Sequence, residues 1–353
     1  MQGKATSKIT RNLLNSLAII LIVLLVSTCL IAIANESPLK AYKAFWFGIF
    51  GTMNGFVEIF VKATPLIFAG LGIAIAFKSG FFNIGAEGQL YMGAIGATII
   101  SICLTDIPGP LRLMLSIITG FLFGGVWALI PGLLKAKFNI SEIITTIMFN
   151  YIAINITALA VRGALKEEGY LPQTPLIESS ARLPELLLPT RLHAGFLLAL
   201  LMVWVIWCLM EKTKMGYELQ VVGLNKRAAQ CTGVSVMKNI IRSAFLSGGL
   251  AGLAGMSEVL GIQYRLLDGI SGGCGYTAIL VALLGGNNPI GVLAAALGFA
   301  TLQVGSNTMQ RQLGIPVSIV LIILGLIVLL ILAKDFFFKQ GIFKRIKRGE
   351  EKC

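Results

Sequence analysis

Apolar runs of about 18–23 residues recur along the whole chain, each closed by charged residues or by a Gly/Pro-rich break. A run of that length is what an α-helix needs to cross the roughly 30 Å hydrocarbon layer of a bilayer. The pattern predicts spans at about 12–33, 61–78, 86–104, 112–134, 142–162, 192–210, 240–262, 272–286, 289–308 and 315–333. Residues 36–60 mix aromatic, polar and glycine positions and read as an outer interfacial or re-entrant segment. An outer loop follows at 163–190, and the largest inner loop is 211–239. The expected fold is all-α: a polytopic membrane protein of about ten transmembrane helices, with both termini cytoplasmic. Its divisions are an N-terminal helix and outer segment (1–59), a transmembrane domain (60–333, holding the 211–239 loop) and a basic cytoplasmic tail (334–353).

Two places depart from plain spanning helices. At 70–96, GLGIAIAFKSGFFNIGAEGQLYMGAIG, an apolar run ends at Lys78, breaks over Ser79-Gly80 and resumes within a few residues. Between the two parts lie Asn83, Glu87 and Gln89, with glycines at 80, 85 and 88. Around 271–290 two short runs are separated by Gly285-Gly-Asn-Asn-Pro289. Corresponding interruptions in two halves of a chain point to a binding path at a repeat interface, so both are expected to be broken or re-entrant elements of a transport path.

Charge fits this picture. On the predicted topology three Lys/Arg before residue 12, Lys78, Lys135, Lys137, six within 211–242 and seven after 333 lie inside, 19 of the chain's 29. That is the excess of positive charge expected of cytoplasmic loops, and it accounts for the net +13 without nucleic acid. The first run, about 22 residues behind Lys4, Lys8 and Arg11, is too long for a signal-peptide core and is expected to stay as a helix. Cysteines at 29, 103, 208, 231, 274 and 353 form no CxxC pair, and the lone His193 has no neighbour at metal-ligand spacing, so no metal site or cofactor is expected.

Carboxylates in or beside apolar runs are the first candidates for chemistry, because burying one ionised in hydrocarbon costs at least about 2.5–3.5 kcal/mol. Glu58 and Glu142 read as helix-end residues and Glu258 stands between the two readings. Glu87 reads as path-lining or as a hydrogen-bonded support of the break. No buried Lys, Arg or His is apparent as a partner for Glu87 or Glu258. Uncharged polar residues add Thr145, Thr146 and Asn150 on one run, and Asn287, Asn288, Gln303 and Asn307 in the late half. Such amides and hydroxyls suit a neutral hydrogen-bonding solute, or serve to lock helices together. The candidate substrate path is therefore Asn83, Glu87, Gln89, Thr145, Thr146, Asn150, Glu258, Asn287, Asn288 and Gln303.

The inner loop KMGYELQVVGLNKRAAQCTGVS (214–235) carries more apolar residues than a solvated loop needs. Val221, Val222, Leu224 and the Ala228-Ala229 pair suit a short helix docking on another protein, through Gly216, Tyr217, Gly223, Asn225, Lys226, Arg227, Ala228, Ala229 and Gly233. No GxxxxGK[ST] run exists, so the chain cannot cradle ATP phosphates itself, and no nucleophile–base arrangement suggests an enzyme.

GLGIAIAFKSGFFNIGAEGQ, GYELQVVGLNKRAAQCTGVS and GYTAILVALLGGNNPIGVLAAALGFATL, in that order, resemble the permease subunits of bacterial ABC importers. The superfamily is that of ribose and branched-chain amino-acid permeases, and the similarity, over roughly 60–333, is to its nucleoside branch. The resemblance implies a transmembrane dimer, a heterodimer with a second permease in this branch. It also implies a cytoplasmic ABC ATPase engaging a coupling helix at about Asn225–Gly233. A lipid-anchored or periplasmic binding protein would deliver substrate from outside, at the bacterial cytoplasmic membrane. Lys226 departs from the branch, which usually has proline there. The function expected is nucleoside import by alternating access, driven by ATP bound in the partner. The alternatives are the same machinery for a monosaccharide such as ribose or galactose, an ATPase-independent secondary transporter, and a membrane scaffold.

Overall fold

The computed structural model describes residues 21–33, 36–316, 319, 322–323, 325–326 and 329–330. Lys4, Lys8, Arg11 and the basic tail, on which the placement of both termini rests, lie outside the described residues. So does much of the last predicted span. Two units are described separately: 1–56 with 301–353, and 57–300.

The described residues form helices and no strand: α1 (Leu21–Ile33), α2 (Pro38–Phe50), α3 (Met53–Lys78), α4 (Ala86–Cys103), α5 (Gly109–Phe138), α6 (Glu142–Arg162), α7 (Gly195–Lys212), α8 (Lys214–Leu224), α9 (Lys226–Cys231), α10 (Val236–Glu258, continued by a π turn over Val259–Gln263), α11 (Cys274–Leu284) and α12 (Pro289–Leu313). Six of these are long and apolar enough to cross a membrane: α3, α5, α6, α7, α10 with its π turn, and α12. Helices α1 and α2, bent by 113°, make a seventh if counted as one span. The rest of the expected set of about ten are α4, whose first turn holds Glu87 and Gln89, the short α11 and the partly described last run.

Three boundaries differ from the sequence reading. The second span starts at Met53 rather than 61, so part of the expected interfacial segment is the first turns of a 26-residue helix. The run at 272–286 holds only the 11-residue α11, roughly 16 Å long and too short to cross. The break at Ser79-Gly80 lies at the end of the 26-residue α3 rather than inside a span. Gly80 adopts φ +73°, its N–H donates to Phe77 O and that of Phe81 to Ala76 O, a pattern that closes a helix C-terminus.

Within 57–300, α3 and α10 are the central helices, with 89% and 83% of their most apolar windows buried, whereas α5, α6 and α7 turn much of their apolar surface outward, as lipid-facing helices do. Close approach at the centre depends on missing side chains. A Cβ on Gly252 would lie 2.2 Å from Gly120 O, one on Gly124 2.4 Å from Gly248 O, and one on Gly255 2.0 Å from Leu90 O. The Gly120-xxx-Gly124 pair of α5 and the small-residue run of α10 are thus the two sides of one contact.

The outer loop is tied to the bundle by its backbone. Thr174 N–H donates to Leu266 O (3.1 Å), Ile177 N–H to Tyr264 O (2.9 Å) and Leu183 N–H to Leu260 O (3.0 Å), so 174–183 runs along the chain leaving α10. Arg112, buried in the first turn of α5, donates to Glu178 and to Ser180 Oγ (2.6 Å). The Arg112 guanidinium holds the Glu178 carboxyl below its ordinary 4.5.

Gly252→Val is expected to destabilise the bundle by about 1–3 kcal/mol through overpacking, read as a lower melting temperature of the solubilised protein. Gly298→Ala, where a Cβ meets nothing within 4 Å, should leave it unchanged. For the loop, a depressed carboxyl contributes stability that is complete above its unfolded pKa and lost as pH falls through the folded one. Hydrogen exchange over 179–183 should therefore quicken in the wild type only below about pH 4.5, and in Glu178→Gln already at neutral pH. Equal exchange in both at neutral pH would show that Arg112 does not anchor the loop.

Candidate transport path

After the Gly80 cap the chain runs without helix through Phe81–Ile84, with Asn83 N–H turned back onto Phe81 O (3.0 Å), and enters α4 at Ala86. Burial of this non-helical backbone requires internal partners for its polar groups, and the amides supply them. Asn83 Nδ2 donates to Gln89 Oε1 and to Ser247 Oγ, both at 2.8 Å, while its Oδ1 accepts from Gln89 Nε2 (3.0 Å) and from Gly85 N–H (2.9 Å). Asn150 of α6 clamps the same segment, accepting from Gly88 N–H (2.8 Å) and donating to Ile84 O (2.9 Å). Gly85 and Gly88 admit these partners, since a Cβ on either would lie 3.0 Å or less from an Asn or Gln side chain.

Glu87 in the first turn of α4 reaches the second interrupted region. Its carboxylate accepts from Ser271 Oγ–H and from Gly275 N–H (2.7 Å), and a Cβ on Gly275 would lie 2.4 Å from Glu87 N. Glu87 therefore sits at two helix N-termini, those of α4 and α11, where the macrodipoles favour a negative charge. Tyr91 Oη lies 3.3 Å from Ser271 Oγ.

Glu258 differs. It is 6% exposed at the end of α10 and makes no hydrogen bond or ion pair among the described residues, while the charges of Lys62 and Glu58 on α3 act on it. Lys62 is thus a positive charge acting on Glu258 from another helix, without an ion pair, that the sequence did not reveal. Glu142 pairs with Lys135 (2.8 Å) at the inner helix ends.

The remaining candidates fall elsewhere. The buried face of α6 is Glu142, Thr146, Asn150, Ala153, Thr157 and Val161, and the half-buried Thr145 bonds back to Ser141 O of its own helix. Asn287 (φ +55°) and Asn288, whose Oδ1 accepts from Ile290 N–H, shape the turn between α11 and α12. Gln303 and Asn307 belong to the unit formed with residues 1–56. Among the described residues no three His, Cys, Asp or Glu are grouped to hold a metal ion.

On the inner side, α8 and α9 meet at Asn225, whose Oδ1 accepts from Arg227 N–H (3.0 Å) and Ala228 N–H (3.1 Å) and caps α9. This cap starts the helix at Lys226 without a proline. Gly216 and Gly223 seat the hairpin: a Cβ would lie 2.2 Å from Leu209 O at the first and 2.0 Å from Lys78 O at the second. Gly233 (φ +80°) turns the chain toward α10, and Ala229 is buried. Tyr217, Leu224, Lys226, Arg227 and Ala228 are exposed.

The sequence family described as "Branched-chain amino acid transport system / permease component" matches residues 55–332. The chain belongs to this family. Among curated proteins it is similar to the guanosine ABC transporter permease protein NupP of Bacillus subtilis, at 38% identity over 96% of this chain and 98% of that protein. It is also similar to the glucose ABC transporter permease protein TsgB13 of Haloferax volcanii (35%; 87% and 84%) and the nucleoside ABC transporter permease protein NupB of Lactococcus lactis (32%; 92% and 92%). No solved structure matches.

The chain is therefore a multi-pass membrane permease subunit of an ABC transporter. Nucleotide hydrolysis belongs to a partner ATPase, and the family implies a substrate-binding protein as well. This excludes the secondary-transporter and scaffold alternatives. In this permease Asn83, Glu87, Gln89, Thr146 and Asn150 come together, joined by three residues not expected from the sequence: Ser247, Ser271 and Tyr91. Ser247 opens the small-residue run of α10, and Ser271 lies in a Ser-Gly-Gly sequence, so each had a polar-beside-glycine signal.

Asn150→Asp keeps the acceptor for Gly88 N–H but leaves Ile84 O without its donor, and should cost about 1–3 kcal/mol of stability. Thr145→Ala should change stability by no more than about 0.5 kcal/mol. Equal melting temperatures for the two variants would show that the Asn150 clamp contributes nothing.

Proposed function

We propose that this permease imports nucleosides by alternating access, through a path bordered by the α3–α4 link and the α10–α11 link. It is driven by an ATPase that docks on the exposed face of α8–α9. The observation that carries the mechanical part is the seat of Gly223 on the end of α3, where a Cβ on Gly223 would lie 2.0 Å from Lys78 O and 3.1 Å from Gly80 N. No side chain intervenes between the inner hairpin and the backbone that leads to Asn83, so displacement of one displaces the other. Arg227 and Ala228 offer the exposed contact, and Ala229, Gly216, Gly223 and Gly233 hold its shape.

Nucleoside is favoured because two relatives spanning nearly the whole chain are named for guanosine and nucleoside transport. The amides and hydroxyls of the bundle suit an uncharged hydrogen-bonding solute. A monosaccharide is the second reading, favoured by the relative named for glucose. The working assembly contains a second permease of different sequence, an ATPase pair and an extracellular binding lipoprotein in the bacterial cytoplasmic membrane.

Reconstituted with these partners, the permease should couple uptake of labelled nucleoside to ATP hydrolysis, with excess sugar failing to compete. Ala228→Glu, on the exposed face, should reduce both activities at least about tenfold with an unchanged melting temperature, the loss of about 1.4 kcal/mol of docking energy. Gly223→Trp should reduce both activities as well by unseating the hairpin, here with a lowered melting temperature. Normal transport by both variants would remove α8–α9 from coupling, and uphill transport without an ATPase would end the reading as a whole.

A further inference from the structure

The membrane-embedded carboxylates separate by what satisfies them. Glu87 is held by a hydroxyl and a backbone N–H, and Glu142 by the Lys135 ammonium. Glu58 is half-buried near the start of α3. Glu258 alone is buried, at 6% exposure, with no hydrogen bond among the described residues. Its position carries a design: it closes the last α-helical turn of α10, five residues before the π turn ends at Gln263. Its charge reaches both α3, through Lys62 and Glu58, and Cys274 at the start of α11. Glu87 accepts from Gly275 N–H in the first turn of that half-helix.

A carboxylate kept in a bundle without a donor is expensive, and such residues by default mark a solute pathway. Among the described residues no hydrogen bond occupies the acceptor lone pairs of Glu258. An ionised carboxylate only accepts, and its two oxygens match two adjacent donors.

We propose that Glu258 is the specificity-determining residue of the path, accepting a pair of neighbouring N–H or O–H donors from the solute. On the nucleoside reading, on which this inference rests, that pair is the N1–H and 2-amino group of guanine or the 2′,3′-diol of ribose. Glu87, with its acceptors occupied, holds the half-helix and does not read the solute.

The test is uptake of guanosine, inosine, adenosine and 2′,3′-dideoxyguanosine by the complete reconstituted transporter carrying Glu258→Gln or Glu258→Asp. An amide replaces one acceptor by a donor, so Glu258→Gln should lower guanosine uptake about tenfold or more, with Glu258→Asp retaining the wild-type order of preference. If the base edge is read, the guanosine-to-inosine preference collapses in Glu258→Gln. If the sugar is read, all ribonucleosides fall together, and the dideoxy analogue is already poor in the wild type. Wild-type KM and preference in Glu258→Gln would overturn the proposal. A wild-type complex that moves a hexose and no nucleoside would refute the nucleoside reading instead. The effect of Glu258→Gln on hexose KM would then test the carboxylate's contact with a donor pair separately.

Discussion

Burying backbone that is not helical, deep in a bundle surrounded by hydrocarbon, is allowed only where every polar group finds a partner inside the protein. The link between α3 and α4 meets that condition through two amides, Asn83 and Asn150, and the start of α11 meets it through Glu87. These are the same requirement met twice, and the Glu87 carboxylate joins them. It belongs to the first interrupted region by sequence and to the second by its hydrogen bonds. Each hydrogen bond to an ionised group is worth about 1.5–3 kcal/mol net, against a cost of the same order for bringing the charge into the membrane. The two bonds together therefore offset the cost of burying the charge.

The glycines do the complementary work. Where α4, α5 and α10 cross, backbone meets backbone at Gly93, Gly120, Gly124, Gly248, Gly252 and Gly255. Without a hydrophobic driving force between helices in lipid, such close packing is what association rests on. The contacts made by α10 on α4 and α5 set the positions of Ser247 and Glu258 on the same helix, one bonded to Asn83 and the other making no hydrogen bond among the described residues.

Much of this was legible in the residues. Runs of membrane length separated by charge gave the all-helical fold, and Gly120-xxx-Gly124 with the small run at 247–255 marked a close crossing. Asn83, Glu87 and Gln89 among glycines marked a built polar element. What could not be read was depth and partner. Ser79-Gly80 looks like a break inside a span because the apolar runs on either side are short. Its position becomes clear only when α3 is seen to begin at Met53 and Gly80 to rest on Gly223. Thr145 and Thr146 are equivalent by polarity and differ by 100° around the helix, so only packing decides that Thr146 is buried and Thr145 is not. Ser271 and Lys62 act on Glu87 and Glu258 across 184 and 196 residues of chain, a separation no local pattern spans.

The same contacts order the elements from the cytosolic face inward. The α8 end rests on Lys78 and Gly80, with Lys78 Nζ also 3.9 Å from Glu211. Three residues further on, Asn83 is bonded to Gln89 and Ser247, and Glu87, on the next turn, is bonded to Ser271 and Gly275. Each step is a direct contact between packed groups, and none depends on a long flexible side chain except the weak Lys78–Glu211 pair, which is partly exposed and contributes little. A rigid series of this kind transmits displacement, whereas a solvated loop would absorb it. For the series to act as a gate it must have a second arrangement, and the groups best placed to exchange partners are those at its far end. Ser271 and Gly275 hold Glu87 through side-chain and single backbone hydrogen bonds, flanked by glycines at 269, 272 and 273 with positive φ. The stiff end lies at α8 and the adaptable end at the start of α11, which is the polarity required if, as proposed, an ATPase docks on α8–α9 and the solute is met within the bundle.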